Sequence, residues 1–410
     1  MPRHLFGVRS VGKQILTAGA IFLAMLQTTI ASPPIRLVPG LANAFVATID
    51  DKGDILSYHF GSPSAPPPMI SPLDLGASVV ENYHPVCRPN FYTLFLTPVG
   101  GVPKRIAANL RLNLELPFPP RDSFQINSHA QVITDRVQDD SSQAGCGNDG
   151  PGPFVGSKQV KTTWPPGDSR NYIRFFDNDG YIIYSSGCPS NPRVIYQPDP
   201  PCYIHYATGN TVALELPNLS RFSGYQVLDG NQKKQALILT SKPYPADRHH
   251  GDNMYVVSSG RVIQVTNRQQ CTVVSAAMND EGHVAAICEG DGRSVVFYDG
   301  STLRRIMFVD NGTNRILINN SDDIVVGAKV GEPISPYGEA SSSPIIYWKD
   351  GVAKVLISSG QFVSFGRASG AIVYLAVGPR ALNQRGQLVF VGTIAGQSES
   401  RVFLADLSAQ

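Results

Sequence analysis

Two histidines and two aspartates crowd into Asp247-Arg248-His249-His250-Gly251-Asp252, just ahead of the apolar run at residues 254–257. On a loop, carboxylates and imidazoles at this density can hold a divalent metal or supply a general base. Adjacent histidines on extended backbone point to opposite sides, so His249 and His250 make a poor chelate, and a solvated loop is the better account. Asp177-Asn178-Asp179-Gly180 opens like a calcium loop but lacks the later acidic ligands of an oxygen cage, so turn chemistry explains it. Residues 7–13 have phosphate-loop spacing, with Gln14 where a hydroxyl should hold magnesium. Residues 145–150 match G-x-G-x-x-G, without a strand before or a helix after. The sequence has neither a G-x-S-x-G elbow nor an H-E-x-x-H pair, and no metal or cofactor is expected.

Aromatic side chains offer a second kind of chemistry, stacking on sugars or peptides. Trp164, Tyr172 and Tyr337 lie in or beside polar, Gly- or Pro-rich insertions, and with His249, His250 and Asp252 they form the candidate ligand-binding set. The insertions span residues 59–74, 139–169 and 331–343. Trp348 stands in an apolar strand pattern instead and is expected in the core.

The elements that must position these residues are strands. The chain carries 38 Gly and 32 Pro with only 16% charged residues, a composition that favours turns over salt-bridged helices. One unit recurs: an apolar residue, Asn or Asp, a few turn residues, then an apolar strand. It is clearest at residues 278–284, 318–324 and 382–388, and weaker at 49–55, 126–132 and 176–182. Asn and Asp bond their own backbone two residues on, and Gly takes the positive φ that closes a tight hairpin. In the best copies an aromatic strand ending in Asp-Gly follows, as at residues 296–300 and 346–351. The gap from Asp177 to Asn279 predicts a further degenerate copy between residues 227 and 239. Six or seven such units of about 50 residues predict an all-β fold, a β-propeller of antiparallel blades occupying residues 32–410 as one domain. Two or three stacked β-sandwiches are the alternative.

The x-N-x-x-G-x-V hairpin followed by an aromatic strand and a D-G turn resembles the HAF-type repeats of exported bacterial proteins. The likeness covers most of residues 45–407 and is sharp from about 275. Where that family's naming His-Ala-Phe should stand, the chain reads Ser294-Val295-Val296-Phe297 and Pro344-Ile345-Ile346-Tyr347. The resemblance implies a secreted, propeller-like fold and brings no catalytic residues with it.

Residues 1–31 read as a signal peptide. Arg3, His4, Arg9 and Lys13 precede an apolar run at 15–26, and Thr29-Ile30-Ala31 supplies a cleavage pattern. An uncleaved anchor is the alternative, though the run falls short of the ~20 residues a span needs. Cleavage leaves 31 basic and 32 acidic residues, too even a balance for a phosphate backbone, so nucleic acid is not an expected partner. The six cysteines, Cys87, Cys146, Cys188, Cys202, Cys271 and Cys288, are an even set in a secreted or periplasmic chain. Sequence neighbours are the expected disulfide pairs, with buried thiols as the alternative. The resulting expectation is a binding or interaction module for an extracellular protein, peptide or glycan, with no stable membrane span. An enzyme acting on extracellular glycans and a structural surface protein are the alternatives.

Overall fold

In a computed structural model, the described residues are 34–42, 44–60, 91–111, 124–134, 154–155, 158–159, 173–184, 201–214, 224–241, 253–266, 271–290, 292–328, 343–365, 368–397 and 399–409. The signal segment and most of the three insertions lie outside them.

Their strands form seven antiparallel sheets, numbered here in chain order. Sheets 1 to 6 have four strands each and fall within residues 44–111, 124–159, 173–213, 224–266, 272–309 and 315–357. In each the strands pair in chain order, which is what successive hairpins produce. Sheet 7 has five strands. Four come from residues 362–406, and the last is the N-terminal strand Ile35–Ala42, which pairs with Ser400–Asp406. The register runs Ile35 to Ala405, Arg36 to Leu404 and Leu37 to Phe403, then shifts before Ala42 meets Arg401.

The first hairpin of sheets 1 to 6, and in sheet 7 the hairpin joining Ala368–Ala376 to Gln387–Ile394, turns on an Asn or Asp: Asp50, Asn127, Asp177, Asn231, Asn279, Asn319 and Asn383. Six stand in the copies read from sequence, and Asn231 supplies the degenerate seventh inside the expected window. In each turn the side-chain Oδ1 accepts the backbone N–H four residues on, as Asn279 does from His283 at 3.0 Å. The residue three places on always has positive φ. Glycine fills that place at Gly53, Gly180, Gly282 and Gly386, whereas Ala130, Lys234 and Asp322 adopt φ values of 56°, 58° and 57°. Those three account for the repeat's uneven look, since the turn geometry persists where its glycine does not.

The asparagines do a second job. Asn Nδ2 donates to the backbone carbonyl of the next sheet's turn: Asn127 to Asp177, Asn231 to Asn279, Asn279 to Asn319, Asn319 to Asn383, and Asn383 back to Asp50. One residue further along, a parallel circuit runs through Ser128, Asn178, Gln232, Asp280, Asn320, Gln384 and Asp51. Each backbone N–H from Ser128 to Gln384 donates to the side chain of the next member, and the Ser128 hydroxyl closes the circuit onto Asp51 at 3.1 Å. The circuit returns to its start, so the sheets stand in a ring as the blades of a propeller.

The core lies between blades. Phe297 and Ala285 of blade 5 pack with Ile318 and Trp348 of blade 6, and Phe175 and Tyr203 of blade 3 pack with Val227 and Ile238 of blade 4. Trp348 is buried as expected. Gly230 shows how close the approach is: a Cβ there would sit 2.5 Å from the Tyr203 hydroxyl oxygen. That hydroxyl accepts from Asn231 N–H and donates to the Gln235 carbonyl, pinning blade 3 to the turn of blade 4. Cys271 and Cys288 form a disulfide across the first hairpin of blade 5, and Cys202 is also disulfide-bonded. Cys87, Cys146 and Cys188 lie outside the described residues.

Candidate functional site

A cavity of about 240 Å³ lies among residues of blades 2 to 7, most of them from the first strand of blades 2 to 6. Its wall draws on Gln125 of blade 2, Arg174 of blade 3, Gln226 and Asp229 of blade 4, Arg315 of blade 6 and Arg380 of blade 7, with the backbone run 273–277 of blade 5 between them. Each of the charged residues stands two to four places before its turn Asn or Asp, at Asp177, Asn231, Asn319 and Asn383. The repeated blade thus brings all four to one cavity. Three arginines face one aspartate.

Arg380 is the most constrained of the set. It holds a non-glycine φ of 50°, and its carbonyl accepts from Ile49 N–H at 3.1 Å and the Thr48 hydroxyl at 2.8 Å in blade 1. Its guanidinium crosses to blade 4, where it pairs with Asp229 and donates to the Gly230 carbonyl, and it lies 4.3 Å from the ring centroid of Phe175 in blade 3. Asp229 also accepts the backbone N–H groups of Gly230 and Met278, at 2.8 and 2.9 Å. One side chain thus braces blades across the ring and forms part of the cavity wall.

A nucleophile-and-base geometry occurs elsewhere. Ser57 Oγ stands 2.9 Å from His59 Nε2, and His59 Nδ1 meets the Ala42 carbonyl at 2.6 Å. A carbonyl only accepts, so Nδ1 carries the proton and Nε2 takes the serine's. Burial lowers the His59 pKa, with the hydrogen bond to Ala42 acting against it. Ser57 is 0% and His59 5% exposed, so a substrate carbonyl has no path to the pair. It is a satisfied internal hydrogen bond.

Two turn positions depart from the asparagine pattern. A carboxylate at Asp50 or Asp177 accepts within its turn but cannot donate to the next blade. At Asp177 the Lys234 ammonium of blade 4 stands 3.5 Å from Oδ2. Asp50 Oδ2 is buried with no hydrogen-bond partner. Burial raises the pKa of both, and backbone donors (Asp54 for Asp50, Tyr181 for Asp177) pull the other way. A raised folded-state pKa means that the folded chain holds its proton more tightly than the unfolded chain. Stability from this source is therefore present below the unfolded value near 3.8 and is lost as pH rises through the folded pKa. The Asp50→Asn substitution supplies the missing donor toward blade 2. It is expected to raise the unfolding free energy by about 1–2 kcal/mol at neutral pH, the cost of an orphaned buried polar group. Urea denaturation at neutral and acidic pH checks this, and the gain should shrink on acidification.

Trp164, Tyr172, Tyr337, His249, His250 and Asp252 all lie outside the described residues, so the structure does not bring them together or separate them. Sequence reasoning missed Arg174, Asp229, Arg315 and Arg380, which stand alone in the chain. Their offset from the turn residue varies from two to four places, so the sequence carried no signal that would have found them.

No family model matches this sequence, and no curated protein does. Among solved structures, the β-propeller domain of the Trilobed protease from Pyrococcus furiosus, described as having an open velcro topology, superposes with a TM-score of 0.50 at 8% identity, covering 89% of this chain and 96% of that one. The Pyrococcus horikoshii acylaminoacyl peptidase gives 0.47 at 12% identity over 77% of this chain, which spans 45% of that enzyme's length. The β-propeller domain of Myceliophteria thermophila Cps50 (Swd1) gives 0.44 at 7% identity over 91% of this chain and all of that domain. At such identities the likeness shows architecture alone, and it agrees with the ring of hydrogen-bonded turns: the chain folds as a β-propeller.

Proposed function

We propose that the protein is an exported binding module whose ligand seats in the central cavity. The observation that carries this reading is the cavity wall itself, assembled from residues of six blades and furnished with amides and charges. Export is supported by the N-terminal basic, apolar and small-residue succession and by the Cys271–Cys288 bond. The x-N-x-x-G-x-V hairpins support kinship with the HAF-type repeats of exported proteins. A protein, peptide or glycan presented outside the cytoplasm is then the partner class.

Ser275 of blade 5 lines the cavity and is half-buried, so Ser275→Trp fills the space from a strand that retains its pairing. Peptide and glycan arrays should show a ligand for the wild type that the filled variant loses, with circular dichroism unchanged. Equal binding by both would move the site to the loops around Trp164 and His249. Turnover of the bound ligand would favour a glycan-active enzyme, and silence across both arrays a structural surface role.

A further inference from the structure

The two seams that follow an aspartate turn differ from the other five and from each other. At the asparagine seams Nδ2 lies 2.9–3.3 Å from the carbonyl of the next turn residue, so donor meets acceptor. After Asp50 and Asp177 an oxygen replaces that nitrogen, and acceptor faces acceptor. The positive-φ residue of the next blade's turn also reaches into the seam. In blade 6 it is Asp322, whose carboxylate accepts from Asn279 Nδ2 at 2.9 Å. In blade 4 it is Lys234, whose ammonium stands 3.5 Å from Asp177 Oδ2 and 4.7 Å from the ring centroid of Tyr181. In blade 2 the same place is Ala130, with a φ of 56° against 58° for Lys234. The backbone is alike, but no ammonium comes with it.

The seam between blades 1 and 2 therefore gathers acceptors without a donor. Asp50 is 4% exposed, and its buried Oδ2 has no hydrogen-bond partner among the described residues. Four residues on, where Gln131, Gln235 and Gln387 accept from their turn asparagines, stands a second carboxylate, Asp54. Burial raises the Asp50 pKa, and the charge of Asp54 adds to it. Asp54 Oδ1 accepts the Val99 N–H at 3.0 Å, which leaves lone pairs on both carboxylates. Lys52, the one basic residue of the turn, is exposed. We infer that this seam binds a calcium ion through Asp50, Asp54 and the Asn127 carbonyl, which the repeat sets opposite Asp50 Oδ2. Two carboxylates balance the charge of the ion. Among the described residues no three acidic, histidine or cysteine side chains gather at one point, so water completes the shell. Calcium accepts such irregular sets of carboxylate, carbonyl and water oxygens, whereas magnesium demands a near-ideal octahedron. The ion would bridge blades 1 and 2 as Lys234 bridges blades 3 and 4.

The test is calorimetric titration and thermal denaturation of the protein, stripped with EDTA and returned to calcium-free buffer. Calcium chloride is compared with magnesium chloride and with sodium chloride at matched ionic strength. Calcium should bind saturably and raise the melting temperature, and neither control should match it. Asp50→Asn installs the amide of the other seams and should weaken calcium at least about tenfold, because affinity follows the charge count of the ligands. Ala130→Lys leaves every ligand in place and adds an ammonium from the backbone conformation that Lys234 adopts. It should raise the melting temperature in calcium-free buffer and remove the calcium response. Should either variant fold poorly, the other decides alone. A calcium response that the folded variants keep in full would put the ion elsewhere and sink the proposal. So would a wild type indifferent to calcium, or one that answers all three salts equally, which is screening rather than a site.

Discussion

Arg380→Ala is expected to lower the unfolding free energy by about 3 kcal/mol, the lower end of the cost of removing one partner from a buried ion pair. Asp229 is 6% exposed and would keep the Gly230 and Met278 N–H groups as donors. Those two bonds explain why the expected loss sits at the low end. The contact over Phe175 disappears in the same step, while the Arg380 carbonyl, which serves Thr48 and Ile49, stays in place. Urea denaturation measures the effect. A double-mutant cycle with Asp229→Asn then isolates the charge pair, because Arg380→Ala should cost clearly less once residue 229 is neutral. Equal cost in both backgrounds would mean that the bracing comes from Phe175 and not from Asp229.

A comparable loss, about 3 kcal/mol, is expected for Asn279→Ala. Asn279 is 2% exposed, and its amide serves four partners: N–H of Glu281 and His283 within the turn, the Asn319 carbonyl of blade 6, and the Asp322 carboxylate. Alanine strands two donors and a carbonyl in a place where water cannot replace the amide fully, and each orphaned group costs on the order of 1 kcal/mol or more. Asn279→Asp separates the two jobs of the amide. It keeps the acceptor for Glu281 and His283, loses the donor to blade 6 and sets a second carboxylate against Asp322, so it should be less stable than wild type at neutral pH. Its deficit should narrow on acidification, when the carboxyl regains a proton to donate. Denaturation midpoints of the three proteins at neutral and acidic pH check this, and an aspartate deficit that does not change with pH would mean that neither the lost donor nor the carboxylate pair sets it.

The frame of this fold was legible because its signal is local. Asn319 with Asp323, or Asn383 with Gln387, announces a hairpin within five residues, and the aromatic strand ending at Asp350-Gly351 announces the next. Asn231 was harder, since Lys234 takes the left-handed position that glycine marks elsewhere. The asparagine's second bond, to the following blade, could not be read at all, because its partner is 40 to 64 residues away in the best copies. The cavity was hidden for the same reason. Arg174, Asp229, Arg315 and Arg380 share no motif, and only the ring brings them to one cavity. The densest titratable cluster, at residues 247–252, drew attention by crowding along the chain, which is a poor guide in a fold where neighbours in space come from successive blades.

The strand Ile35–Ala42, seated beside Ser400–Asp406, has a consequence for assembly. Six blades are stitched from consecutive hairpins and need nothing from elsewhere in the chain, whereas the seventh waits for a strand made at the other end. Loop-closure entropy grows only slowly with length, so the delay costs little free energy, but it orders events: the seam closes last. Until then Ser400–Asp406 presents a bare edge, and its complement on a second molecule fits as well as its own. Exchange of that strand would give dimers with every native hydrogen bond intact, favoured by crowding of unfinished chains. Dilution during synthesis is thus what keeps each ring to itself.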